Sequence, residues 1–92
     1  MAPSAADWNA RYLACDTPWD LGGPAALVQR LAGSMVTEPS KVLVPGCGLG
    51  HDVAALARAG HQVEGLDISP EAVARATARL RSEGLSNAQV RE

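Results

Sequence analysis

Apolar residues in this chain follow two patterns, a helical spacing of three to four and short unbroken runs. Val42-Leu43-Val44 is the plainest run; it predicts a strand over 41–44 covered on both faces, as in parallel sheets. Val53, Leu56 and Ala57 then share one side of a predicted helix over 51–59, which Gly60 can end in the left-handed conformation. Val63 and Leu66 mark a second strand over 62–67. Ser69-Pro70-Glu71 opens the next helix with a cap, a first-turn proline and a carboxylate at the positive end of the dipole. Its stripe is Val73, Ala76, Thr77 and Leu80, Glu71 and Arg75 can pair on the exposed side, and Gly84 ends it. Residues 88–92 begin a third strand.

Upstream, Ser4 can cap a helix over 5–14 on which Trp8 and Tyr12, four apart, would stack on one face. The prolines and glycines of Asp16–Pro24 make a loop. Pro24 suits the start of a second helix and Gly33 its end, with Leu27, Val28 and Leu31 as its stripe, before a polar connection over 34–40. The order helix, helix, strand–helix–strand–helix–strand predicts an α/β fold, the first half of a Rossmann-like, right-handed parallel sheet. Residues 1–40 form a helical, aromatic leader, and 41–92 form the sheet half. A doubly wound sheet usually has about six strands, so the second part is expected to be the front of a larger, here incomplete, domain.

Composition narrows the partners. The net charge of −2, with one lysine among 8 basic residues, offers no footprint for nucleic acid and no polybasic membrane patch. The first residues lack the basic start and apolar core of a signal peptide, and no window approaches a membrane span. Cys15 and Cys47 are too few for a disulfide framework, so reduced thiols in a cytoplasmic protein are expected.

Candidate chemistry begins where the first strand stops, at Pro45-Gly46-Cys47-Gly48-Leu49-Gly50. Gly46 allows a tight turn, and Gly48 and Gly50 remove side chains where a ligand would approach the backbone; an ordinary strand-to-helix turn would look the same. Asp67 follows at the end of the second strand, at the spacing of an acid that accepts ribose hydroxyls, although a turn role before Ser69-Pro70 is the simpler alternative. Together the turn and the acid favour an adenosine-containing cofactor. The dinucleotide fingerprint G-x-G-x-x-G would put its third glycine at His51, whereas here it is Gly50. Asp52 near the helix start disfavours a pyrophosphate and suits a cationic cofactor, unless it serves only to balance the dipole. Cys47 has no specified base to make it a nucleophile, and His51 and His61 lack metal-ligand spacing.

The run Val42–Gly50 resembles motif I of class I S-adenosylmethionine-dependent methyltransferases, with Val44 where many of them carry an acid. With His51-Asp52 and Gly65-Leu66-Asp67-Ile68-Ser69, it is similar to the thiopurine methyltransferase superfamily, closest to its thiol and halide methyltransferase branch. Trp8, Tyr12 and Thr17-Pro18-Trp19-Asp20-Leu21-Gly22 fit that family's aromatic leader. The resemblance implies that Trp8 and Tyr12 help enclose S-adenosylmethionine and that Trp19 stands between cofactor and acceptor. It also implies that Pro45, Gly46, Gly48 and Gly50 pass the methionine part, and that Asp67 and Ile68 hold the nucleoside. Without it, Trp8 and Tyr12 read first as the buried stripe of a small helix. The expected activity is methyl transfer to a small nucleophile, a thiol or a halide-like anion, with no catalytic residue assigned. A truncated cofactor-binding remnant, a regulatory module and a nicotinamide-dependent oxidoreductase fragment are the alternatives.

Overall fold

The computed structural model describes residues 4–17, 19, 20, 22–24 and 39–92. The expected helix from Pro24 to Gly33, with Leu27, Val28 and Leu31, lies outside the described residues beyond Pro24 itself, as do Pro18 and Leu21. Among those described, the strands β1 (Lys41–Pro45), β2 (Gln62–Leu66) and β3 (Ala88–Arg91) lie side by side in that order, all parallel. The register runs from Lys41 opposite Gln62 to Pro45 opposite Leu66, and from Val63 opposite Ala88 to Leu66 opposite Arg91. Helix α1 (Ala5–Leu13) precedes the sheet; α2 (His51–Arg58) joins β1 to β2, and α3 (Pro70–Ser82) joins β2 to β3.

Strand alternation divides the sheet's side chains between its two faces. Val42, Val44, Val63, Ala88 and Val90 join Val53, Ala54, Leu56 and Ala57 of α2 and Leu80 of α3 in the core. Both helices therefore cover one face, because crossovers of one hand between strands laid down in one direction cannot straddle the sheet. The opposite face, with Leu43, Gln62, Glu64, Gln89 and Arg91, is left open by the described residues. This corrects the expectation that β1 is covered on both sides: Leu43 is 59% exposed. An unbroken apolar run, unlike an alternating one, does not reveal which of its side chains lacks a neighbour.

The helix ends follow the local chemistry. Ser4 accepts the Asp7 N–H at 3.2 Å and Asp7 returns the bond to the Ser4 N–H at 2.9 Å, a reciprocal capping box. These bonds hold the exposed Asp7 carboxyl below its ordinary range. Ser69 caps α3 through the Ala72 N–H, and Glu71 pairs with Arg75 at 2.8 Å. The buried stripe of α3 is Ala72, Ala76 and Leu80, with Val73 and Thr77 at its margin. Alanine thus takes the closest approach, with Ala76 lying against Gly50. At the other end of the sheet, buried His61 accepts the Ser40 N–H at Nδ1, and Asn87 donates to the Ala57 and His61 carbonyls.

Candidate functional site

Ligands of open parallel sheets bind at the carboxyl ends of the strands. There the described residues enclose a cavity of about 670 Å³, within the range of small-molecule sites. Four segments of the chain line it. The leader supplies Trp8, Tyr12 and Trp19; the tip of β1 supplies Pro45 and Gly46; the tip of β2 supplies Leu66, Asp67 and Ile68, with Glu92 from the end of β3. Seven of the nine residues singled out in the sequence meet here. A groove of about 580 Å³ at the amino ends of the strands, along Lys41, Gln62 and Asn87, gathers none of them.

The aromatic side is built around Trp19. Trp8 and Tyr12 do not stack on each other; each meets Trp19 edge to face, with centroids 5.5 Å and 5.7 Å apart. The Trp19 indole N–H donates to the Tyr12 hydroxyl at 3.3 Å, and the Arg11 guanidinium sits 4.9 Å from the centre of the Trp19 ring. Arg11 is itself paired with Asp16 at 3.3 Å. Tyr12 is buried, and that burial pushes its phenol up, against the pull of the Trp19 hydrogen bond. Trp19 remains 40% exposed and Ile68 53% exposed, so apolar surface faces the cavity from both sides.

Asp67 is fixed by the turn it faces. One carboxylate oxygen accepts the Gly48 N–H at 2.9 Å and the other accepts the Ser69 N–H at 2.9 Å. A carboxylate offers about four lone-pair positions, so roughly two stay available to a ligand. The turn is secured further by Cys47 N–H on the Leu66 carbonyl, Gly50 N–H on the Cys47 carbonyl, and Arg79 of α3 donating to the Leu49 carbonyl at 3.0 Å.

Gly48 and Gly50 do not line this cavity, for separate reasons. A β-carbon on Gly48 would lie 2.9 Å from the Tyr12 hydroxyl, so the missing side chain makes room for the aromatic leader. A β-carbon on Gly50 would lie 2.9 Å from that of Ala76 and 3.2 Å from its Cα, so this glycine lets α2 start against α3. Gly48 instead borders a smaller recess of about 180 Å³ with Trp19, Asp20, Cys47, His51 and Asp52. In it His51 Nε2 stands 3.1 Å from an Asp20 carboxylate oxygen, close enough for an ion pair but not aligned as a hydrogen bond.

Cys47 lies half-buried against the core, next to Gly65. Burial and then the nearby Asp67 charge push its thiol up to about 11, which removes it as a nucleophile at neutral pH. At pH 8 its thiolate fraction is about one in a thousand. A soluble disulfide reagent at pH 8 is therefore expected to label exposed Cys15 at least ~10-fold faster than Cys47, as read by mass mapping of the labelled peptides. The unfolded chain ionises this thiol near its ordinary value of 9, before the folded chain does, so the contribution to stability falls as pH rises from 9 to about 11.

Two residues that sequence patterning did not single out hold the site together. They are Arg79, noted above, and Asn9, whose side-chain oxygen accepts from both the Ser69 hydroxyl and the Glu71 N–H at 2.7 Å. An asparagine inside a predicted helix is a poor helix former, and that was the one available signal. Among the described residues no group of three or more His, Cys, Asp or Glu is arranged around a metal position, and no helix is long and apolar enough to cross a membrane.

The family model for thiopurine S-methyltransferase matches residues 3–91. A probable thiol methyltransferase 2 of Arabidopsis thaliana is 42% identical over 77 residues, which are 84% of this chain and 34% of that protein. The chain thus spans about a third of that relative's length. A solved structure from work on the conversion of a disulfide bond into a thioacetal group during echinomycin biosynthesis superimposes with a TM-score of 0.82. It is 31% identical, over 95% of this chain and 38% of its own. The N-terminal domain of EvdMO1, solved with S-adenosylhomocysteine (SAH) bound, matches 74% of this chain and 30% of its own at 25% identity and a TM-score of 0.62. The chain belongs to the thiopurine S-methyltransferase family.

Proposed function

We propose that this chain is the cofactor-binding part of an S-adenosylmethionine-dependent methyltransferase acting on a small nucleophile, a thiol or a halide-like anion. The observation that carries the reading is the cavity at the strand tips, with aromatic rings from the leader and a carboxylate with spare lone pairs both opening onto it. When bound, the cofactor would supply a methyl group on a cationic sulfur, open to in-line displacement.

The residues suit that group. Asp67, already oriented by two backbone N–H groups, has lone pairs left for the two ribose hydroxyls. Trp8, Tyr12 and Trp19 line the cavity with aromatic rings, which attract a sulfonium by roughly 0.5–2 kcal/mol. The recess beside them, edged by Asp20 and Asp52, suits an ammonium group. In this reading, α1 and Trp19 act as a lid over the strand tips, and enclosure excludes water while alignment of the two reactants lowers the barrier. A thiolate acceptor needs little help from a base, consistent with the protonated state of Cys47 and Tyr12. The thiol acceptor is further supported by the name of the Arabidopsis relative.

Calorimetric titration of the chain with SAH is the direct test. One-to-one binding is expected, weaker than about 1 µM because much of the cavity's apolar surface stays open to water. NAD should give no signal, and simple thiols or iodide no measurable methylated product with this chain alone. Saturable NAD binding with none by SAH would reverse the reading.

A further inference from the structure

Buried Tyr12 packs the lid helix in place, Arg75 donates to Cys15 just beyond its end, and the helix's own hydrogen bonds to the sheet half converge on one point. Among the described residues, the two hydrogen bonds that join α1 to the sheet half of the chain end on one atom, Asn9 Oδ1. Their donors are the hydroxyl of fully buried Ser69 and the Glu71 N–H, a free donor in the first turn of α3. Ser69 is also the residue whose own N–H holds one oxygen of Asp67, while the other oxygen of Asp67 holds Gly48. A continuous chain of bonds therefore runs from α1 through Asn9, Ser69 and Asp67 to the glycine turn. Trp8 is the residue before Asn9, and Tyr12 lies one turn beyond it on the same helix.

We infer that Asn9 is a positioning residue that couples the docking of the aromatic lid to the orientation of Asp67. The inference rests on the proposed cofactor site. If the lid and the acid are joined through Asn9, whatever orients one favours the other, and the linkage is reciprocal. The side chain must accept two hydrogen bonds at a helix N-terminus already flanked by the carboxylates of Asp67 and Glu71. The amide oxygen does this, and a carboxylate oxygen could too, since the helix N-terminus favours negative charge. Arg75 of α3 is paired with Glu71 and also donates to Cys15 Sγ at 3.7 Å.

Three forms of the chain test this: wild type, Asn9→Ala and Asn9→Asp. The readouts are SAH affinity by calorimetry, the near-ultraviolet circular dichroism of the two tryptophans, and the far-ultraviolet spectrum as a check on folding. Both tryptophans belong to the lid cluster, so their dichroism reports its geometry without any ligand. Asn9→Ala is expected to weaken SAH binding about tenfold and to flatten the tryptophan signal while the far-ultraviolet spectrum persists. Asn9→Asp keeps the acceptor and should stay within about threefold of wild type with its tryptophan signal intact. Should Asn9→Ala not fold, Asn9→Gln, whose oxygen is carried one methylene too far, gives the same comparison. Wild-type affinity and tryptophan signal in the non-accepting variant, or loss of both in Asn9→Asp, would overturn the inference. If the wild type does not bind SAH at all, the cofactor reading fails, and the tryptophan signal alone still decides the role of Asn9.

Discussion

Asp67→Ala is expected to lower SAH affinity about 100-fold and to destabilise the fold by about 2–4 kcal/mol. The two losses have separate origins. The structural one comes from the Gly48 and Ser69 N–H groups, each deprived of its carboxylate partner inside a tight turn. The binding one comes from the lone pairs proposed for the ribose; a hydrogen bond to a charged group contributes roughly 1.5–3 kcal/mol, and two at the low end of that range correspond to about 100-fold. Asp67→Asn separates the origins, because it keeps one carbonyl oxygen for the backbone but loses the charge. It should bind SAH poorly while melting closer to wild type. Calorimetry alongside thermal unfolding reads both. Equal affinity in all three forms would remove Asp67 from the ligand site and leave it a turn residue.

Gly50→Ala is the second large effect, expected at about 2–5 kcal/mol against a total stability of roughly 5–15 kcal/mol for a domain. Position 50 has φ +82, where a side chain costs about 1–2 kcal/mol. The new methyl would also stand 2.9 Å from the Ala76 β-carbon and 3.2 Å from its backbone, and overpacking of that kind adds about 1–3 kcal/mol. Gly60→Ala is the internal comparison: φ there is +97, with nothing within 4 Å of the added carbon. It should lose only the backbone part, about 1–2 kcal/mol. Denaturant unfolding of both variants measures the difference, which is the steric cost of bringing α3 against the start of α2. Equal losses would mean that α3 moves aside freely.

Much of this arrangement was legible in the residues. The strand and helix order, the caps at Ser4 and Ser69, and the stops at Gly60 and Gly84 follow from local chemistry that each residue carries with it. Trp8, Tyr12, Trp19, Gly46 and Asp67 could be read as one group because a resemblance linked segments far apart in the chain, and the structure brings them to one cavity. Its less legible parts are those decided by three-dimensional approach. Gly48 and Gly50 look like ligand glycines in a motif, yet their nearest neighbours are Tyr12 and Ala76, positions that no spacing rule connects to them. Asn9 shows in sequence only as a poor helix former, because its partners, Ser69 and Glu71, are about sixty residues away. The bare side of Leu43 could not be read from its apolar neighbours, since a buried run and a half-buried one have the same letters.

The edge of β1 has a consequence for assembly. Among the described residues β1 is bonded along one edge only, to β2, and its Val42-Leu43-Val44 run has high strand propensity and no charge of its own. Such an edge is a seat on which another strand can add, and in a doubly wound sheet the first strand of the second half pairs there. Lys41 at its start and Pro45, which lacks a donor, at its end leave the run between them to take that strand.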